Sequence, residues 1–429
     1  MTILLCWAVV ASFARSIEGT WWSPGSFLAL ALSTNAFGTI VFAPEYFMSL
    51  AANIYLQSLV IVTSFAAFIG RRFVSSRPVV AALVPKRAFE VQRKQSLFFF
   101  GLVTSVASAF FTLRATGVGI GDLTSVSGLM QSAQEVTYRR YTEGLDFPIY
   151  YNVSNALLLS YAVTVAIHFA AVRRIEWRFT LPIAIYVVAN MLVTTRAPIL
   201  FLLIPMIFGA LFTAKSISKD GKFASIGNTS TLKVALSATA LVAAIFFLFQ
   251  LLRFGEQSDR SASEVWTHLR KYPWGSLPAF SSWYDQWGRA DSDAVSGYYT
   301  FMGIYDNLGI AARQALTYDE FVFLSRGEPA NVYTVFRGLY HDFGMLGSGM
   351  FLALCGFLGA AAAWGNWATP YFRTALYVAI MTFMACAFVV SSFAYTSNIA
   401  AVLALPFMLR YFTAAPSYRL SSISMKENA

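Results

Sequence analysis

His341 and Asp342 stand side by side, and either could accept a proton from a hydroxyl group. An Asp just ahead of an apolar run also fits a helix N-cap, and a lone His beside it fits a polar residue at an interface. Glu135 is a third candidate base, with a solvated helix face as the simpler account. Four arginines are candidate anion holders: Arg196, Arg253, Arg326 and Arg337. A guanidinium donates two parallel hydrogen bonds, which suits phosphate oxygens. The alternative is a side chain that reaches past apolar surface to the headgroups. Arg196 lies in Val193-Thr-Thr-Arg-Ala-Pro198, a short turn between two apolar runs, where a charge needs an anion or carbonyls nearby.

Aromatic residues crowd the stretch from Trp266 to Tyr305. Flat rings stack on the apolar faces of sugars while polar neighbours bond the hydroxyls; the competing reading is an aromatic belt at headgroup level. Tyr272, Trp274, Trp283 and Tyr299 are the candidate glycan contacts here. Asn331 and Tyr333 join them, in a stretch that Arg326 and Arg337 flank. No metal is expected. Cys6, Cys355 and Cys386 sit in apolar segments, and His168, His268 and His341 are far apart in sequence. Asp291-Ser-Asp293 has a metal-binding form, but the pattern is too common to carry weight.

The elements that must position these residues are membrane spans. The chain is 57% hydrophobic and only 12% charged, too little polar surface for a soluble domain. Apolar blocks of span length fall near 2–15, 25–43, 51–70, 96–113, 153–172, 180–195, 197–214, 233–252, 345–364, 372–389 and 393–410. The expected fold is an all-α polytopic integral membrane protein with about eleven spans, one transmembrane domain over 1–429. The first block lacks a basic start and a small-residue cleavage site, so it reads as a span and not a signal peptide.

Lys and Arg gather in 71–95, 173–179, 215–233 and the tail after Phe407, which alternating spans put on one side. That side is expected to be the cytoplasm, which explains the net charge of +10 without nucleic acid. The other side receives two long segments, 114–152 and 253–344, which hold most of the acidic residues and most of the candidate site. Leu123 to Tyr141 reads as a helix lying on the membrane surface.

Tyr272-Pro-Trp-Gly-Ser-Leu-Pro-Ala-Phe280, Gly297-Tyr-Tyr-Thr-Phe301, Asn331-Val-Tyr-Thr334 and Asp342-Phe-Gly344 with Gly347, in that order, resemble the oligosaccharide repeat unit polymerases, the Wzy-type O-antigen polymerase family. The resemblance covers about 253–350 and the hydropathy of the whole chain, which is one span short of that family's usual count. It implies a GT-C-type membrane glycosyltransferase in the inner membrane of a Gram-negative bacterium, working at the periplasmic face. The implied substrate is an oligosaccharide on undecaprenyl diphosphate, and the growing glycan moves from its carrier to the next lipid-linked unit. The implied partners are the lipid bilayer and a chain-length regulator protein; no cofactor is implied.

Such a reaction needs cations for the diphosphate leaving group, a base for the attacking hydroxyl and a surface for the glycan. The residues above could supply all three. An O-antigen ligase is the nearest alternative. A flippase or transporter of lipid-linked oligosaccharide is a different class, expected to place polar groups near the bilayer midplane at broken helices.

Overall fold

The computed structural model describes residues 2–75, 86–119, 121, 125–142, 149–192, 197–218, 221–223, 262–286, 297–311, 318, 320–325, 328–331 and 333–413. Within them the regular structure is helical apart from one antiparallel pair of two-residue strands and an isolated bridge between Val91 and Thr413. Eight helices precede residue 218: α1 (Thr2–Glu18), α2 (Pro24–Phe42), α3 (Leu50–Ser75), α4 (Lys94–Thr116), α5 (Val126–Thr142), α6 (Ile149–Val172), α7 (Trp177–Leu192) and α8 (Ala197–Ile217). Three shorter ones follow, α9 (Ala262–Trp274), α10 (Ser276–Gln286) and α11 (Tyr298–Asn307). The hairpin of β1 (Val322–Phe323) and β2 (Pro329–Ala330) leads to α12 (Val335–Trp364), α13 (Pro370–Cys386) and α14 (Thr396–Phe412).

Among the described residues, α2, α3, α4, α6, α8 and α12 are long and apolar enough to cross a membrane. Large apolar side chains such as Phe99, Val103, Met350, Leu354, Leu403 and Phe407 point outward. A water-facing surface would not carry that pattern on so many helices, whereas lipid tails solvate it. The chain is a multi-pass membrane protein. The helices α1, α7, α13 and α14 are 16–17 residues long, short of the length that a straight crossing takes. The expected span at 233–252 lies outside the described residues, so the count of eleven is not reached here.

Small residues let the helices approach. The α3–α12 interface is extensive, and a Cβ at Gly70 would lie 2.5 Å from the Phe357 carbonyl oxygen, one at Gly356 2.4 Å from that of Thr63. The face that α4 buries carries Gly101, Thr104, Ser105, Ser108 and Thr112, with the ring of Tyr161 against Gly101. Ser108 Oγ donates to Asn155 Oδ1 of α6 at 2.5 Å. The expected start of a span at residue 345 corresponds to a break inside α12. Gly344 has φ 66° and ψ −174°, a conformation that only glycine adopts without strain.

The two ends of the bundle differ chemically. At one end the backbone amide of Gln92 bonds the Phe412 carbonyl at 2.8 Å, Lys94 pairs with Glu176 at 2.6 Å and Arg71 Nη1 bonds the Glu18 carbonyl at 2.8 Å. Arg173, Arg174, Arg178, Lys215 and Arg373 belong to the same end by their place on the alternating helices. At the other end, Thr39 Oγ1 donates to the Trp274 carbonyl at 2.9 Å, Ser49 Oγ to Asp285 at 2.8 Å, and Thr396 Oγ1 to the Gly303 carbonyl at 2.9 Å. So α9, α10 and α11 cover the end opposite the basic one. Among the described residues, the Lys and Arg of the expected basic segments share one end, and the rest of those segments lies outside the described residues. A helix expected over Leu123 to Tyr141 corresponds to α5, Val126–Thr142.

Candidate functional site

The stretch of α12 before Gly344 carries Arg337, Tyr340, His341 and Asp342. Arg337, Tyr340 and His341 share one helix face, because residues three and four apart lie above one another. The Trp283 ring of α10 lies on this face, 5.8 Å from the Tyr340 ring, 5.3 Å from His341 and 5.2 Å from the Arg337 guanidinium carbon. Tyr299 of α11 closes on His341 at 5.3 Å and stacks on Tyr318 at 5.0 Å. Gly338 permits this approach, since a Cβ there would lie 3.1 Å from that of Tyr299.

Arg337 sits at the centre and is 1% exposed. Its guanidinium lies 4.0 Å from the ring centroid of Tyr318 and 4.1 Å from that of Tyr333. Such cation–π contacts offset part of the cost of burying the charge. Nη2 donates to Glu320 Oε2 at 2.6 Å. Nε and Nη1 close no hydrogen bond among the described residues. Burial alone would raise the Glu320 pKa, but the Arg337 hydrogen bond and charge hold it below the ordinary carboxylate range. Tyr333 donates from its hydroxyl to the Glu320 carbonyl at 3.0 Å, and burial pushes its phenol up to about 12.

Asp342 is buried and turns toward α11. Its Oδ1 accepts from the Tyr299 amide at 2.9 Å, and its Oδ2 from the Thr300 amide at 2.6 Å. These are orphan amides of the first turn of α11, whose own N-cap, Gly297, has no side chain. The cap that the sequence suggested is therefore supplied to another helix and not to the helix that follows Asp342. With both oxygens engaged, the carboxylate orients α11 in this arrangement, and His341 is the neighbouring group that faces the aromatic cluster.

Of the residues singled out from the sequence, Asp342, His341, Arg337, Trp283, Tyr299 and Tyr333 come together. Trp274 lies apart, stacked on Phe42 at 5.5 Å over Gly38 of α2. Tyr272 is half-buried on α9, and Asn331 half-buried just after β2. Glu135 pairs with Arg139 on its own helix, which packs on α7 and not on the cluster. Arg196, Arg253 and Arg326 lie outside the described residues, as do Asp291 and Asp293. No cluster of three or more His, Cys, Asp or Glu side chains that could hold a metal occurs among the described residues.

No protein-family model, curated protein or solved structure matches this chain. The functional reading therefore rests on the residues themselves.

Sequence reasoning missed Tyr318, Glu320 and Tyr340. Tyr340 had a usable signal, a ring three residues after Arg337 in a helical stretch. Tyr318 and Glu320 stand in an irregular segment without periodicity, and only the fold brings them under Arg337.

Proposed function

We propose that the protein is a membrane glycosyltransferase that polymerises lipid-linked oligosaccharides, of the GT-C type. Arg337 carries the proposal: a buried cation whose Nε and Nη1 close no hydrogen bond among the described residues, set among Trp283, Tyr318 and Tyr333. Charged donors beside aromatic faces suit an anionic group joined to a sugar. The resemblance of 253–350 to the Wzy-type polymerases supports the same substrate class, an oligosaccharide on undecaprenyl diphosphate.

In the proposed reaction an acceptor hydroxyl gives its proton to His341 as its oxygen bonds the anomeric carbon of the growing chain. The bond from that carbon to the diphosphate breaks, and undecaprenyl diphosphate leaves with the electron pair. Arg337 stabilises the charge that grows on the diphosphate. Arg196, Arg253 and Arg326 are further candidates for that task, and Glu135 for the base. Tyr299, half-buried, is the candidate glycan contact of the cluster, with Tyr272, Trp274 and Asn331 as further candidates, while the buried Trp283 and Tyr333 rings back Arg337. Asp342 positions α11.

The depth of the cluster supports catalysis at one face over passage through the membrane. From Gly344 to the basic end α12 runs roughly 20 residues, about 30 Å at 1.5 Å each, a full hydrocarbon thickness. That length supports a reading in which the helix break and the cluster beyond it lie near one membrane boundary and not at the midplane, where transporters break their spans. On this reading the protein sits in a bacterial inner membrane with its site toward the periplasm, beside a chain-length regulator.

Deletion in the host tests the proposal. Loss of a polymerase leaves a single repeat unit on the lipid A core, and the wild-type gene restores long chains. Complete loss of repeat units would point instead to a ligase or flippase.

A further inference from the structure

Glu18 ends α1 and is 1% exposed, remote in the fold from the cluster around Arg337. Among the described residues, neither of its carboxylate oxygens closes a hydrogen bond. The same holds for the hydroxyls of Ser26 on α2 and Ser64 on α3, both fully buried. The carboxylate and Ser64 meet at the first turn of α2. A Cβ at Gly25 would lie 2.3 Å from Ser64 Oγ and 2.5 Å from Glu18 Oε1, so both oxygens face the backbone just ahead of Ser26. The helix α12 comes up beside them, since a Cβ at Gly359 would lie 2.6 Å from the Pro24 ring. Four helices thus meet around a carboxylate and two hydroxyls.

An ionised carboxylate taken out of water is costly unless something compensates it. The N-terminus of α2 favours an anion and offsets part of that cost. It leaves the two hydroxyls unexplained. Arg71 approaches Glu18 at its backbone carbonyl, 2.8 Å from Nη1, and not at its carboxylate. Buried polar groups in folded proteins are normally paired, whether with protein, water or an ion. A buried water satisfies hydroxyls but brings no charge. A cation supplies the charge that the carboxylate needs and a centre that hydroxyl oxygens can share. One carboxylate balances a single positive charge. A divalent ion would leave excess charge in the bundle; magnesium also keeps several waters, and calcium takes about 6–8 oxygens.

We infer that Glu18, Ser64 and Ser26 bind a small monovalent cation, sodium or potassium. Oxygen ligands suit such hard ions, and membrane proteins hold them at helix junctions of this kind. The ion ties the end of α1 to α2 and α3. Ser64 follows Thr63, whose carbonyl oxygen lies 2.4 Å from where a Cβ of Gly356 would stand. The site therefore steadies α3 against α12, the helix that carries Arg337. The inference rests on this helix junction and not on the proposed reaction.

Thermal unfolding of the purified full chain in detergent tests it, in sodium, potassium or choline chloride at equal concentration and about pH 8, far above the ordinary carboxylate range. Sodium or potassium should raise the melting temperature by about 3 °C or more over choline, which is too large for the site. Glu18→Gln keeps the shape, removes the charge and should lose the rise. Ser64→Ala removes one neutral ligand, with less risk to folding, and should weaken it. Equal melting temperatures in the three salts would overturn the inference and leave Glu18 as a buried acid. A full rise in Glu18→Gln, or in Ser64→Ala, would overturn it too.

Discussion

Asp342 Oδ2 accepts two hydrogen bonds from Thr300, one from its amide at 2.6 Å and one from its hydroxyl at 2.5 Å. This pair fastens α11, and with it Tyr299, to the part of α12 that carries Arg337 and His341. Asp342→Ala leaves buried donors on Tyr299 and Thr300 without an acceptor, at a cost of about 1–3 kcal/mol. Thr300→Val removes only the hydroxyl and should cost less. In a double-mutant cycle the two changes are expected to be non-additive. Additive losses in denaturant unfolding would show that the pair is not coupled.

Gly344 lets the chain turn between the two parts of α12. Gly344→Ala meets no neighbouring atom within 4 Å, so its effect is one of backbone strain alone. A residue with a Cβ held at that φ and ψ costs about 1–3 kcal/mol. The variant should be expressed in the membrane with a lower melting temperature. A melting temperature equal to that of the wild type would mean that α12 runs straight.

The fold was legible in the sequence where the signal was local. Apolar runs marked the helices, and the expected start of a span at residue 345 falls beside the break in α12 at Gly344. The described basic segments marked one end of the bundle. The candidate site was legible only in part. Arg337, His341 and Trp283 stood out by type, but the partner of Asp342 is 42 residues away and no local pattern points to it. Glu135 looked equivalent to Asp342 as an acid in an outer segment. Its i,i+4 pairing with Arg139 on a helix apart from the cluster is a tertiary fact.

Glu176 links the ends of α4, α6 and α7. Its Oε1 takes Lys94 at 2.6 Å and His168 at 3.1 Å, and its Oε2 takes Arg178 at 2.8 Å. Burial pushes its pKa up, but these three partners outweigh it and bring the value down to about 2 from 4.5. A lowered folded pKa means stability that is present above the unfolded value and lost as pH falls through the folded one. The melting-temperature gap between wild type and Glu176→Gln should be widest above about pH 4.5 and close toward about pH 2. A gap that stays constant with pH would remove the carboxylate charge from the account.

The proposed reaction makes a specific demand on Arg337. A charge-assisted hydrogen bond is worth about 1.5–3 kcal/mol, so its loss corresponds to roughly a tenfold to hundredfold drop in rate. Arg337→Lys keeps the charge and loses the planar geometry, and it should fall between wild type and Arg337→Ala.

The most direct measurement is chain extension by purified protein, followed by gel, with synthetic repeat units on undecaprenyl diphosphate as the only sugar source. The expected result is a ladder of products with release of undecaprenyl diphosphate, reduced roughly tenfold to hundredfold in Arg337→Ala at equal folded protein. Repeat units recovered unextended from folded wild-type protein would contradict the proposed function.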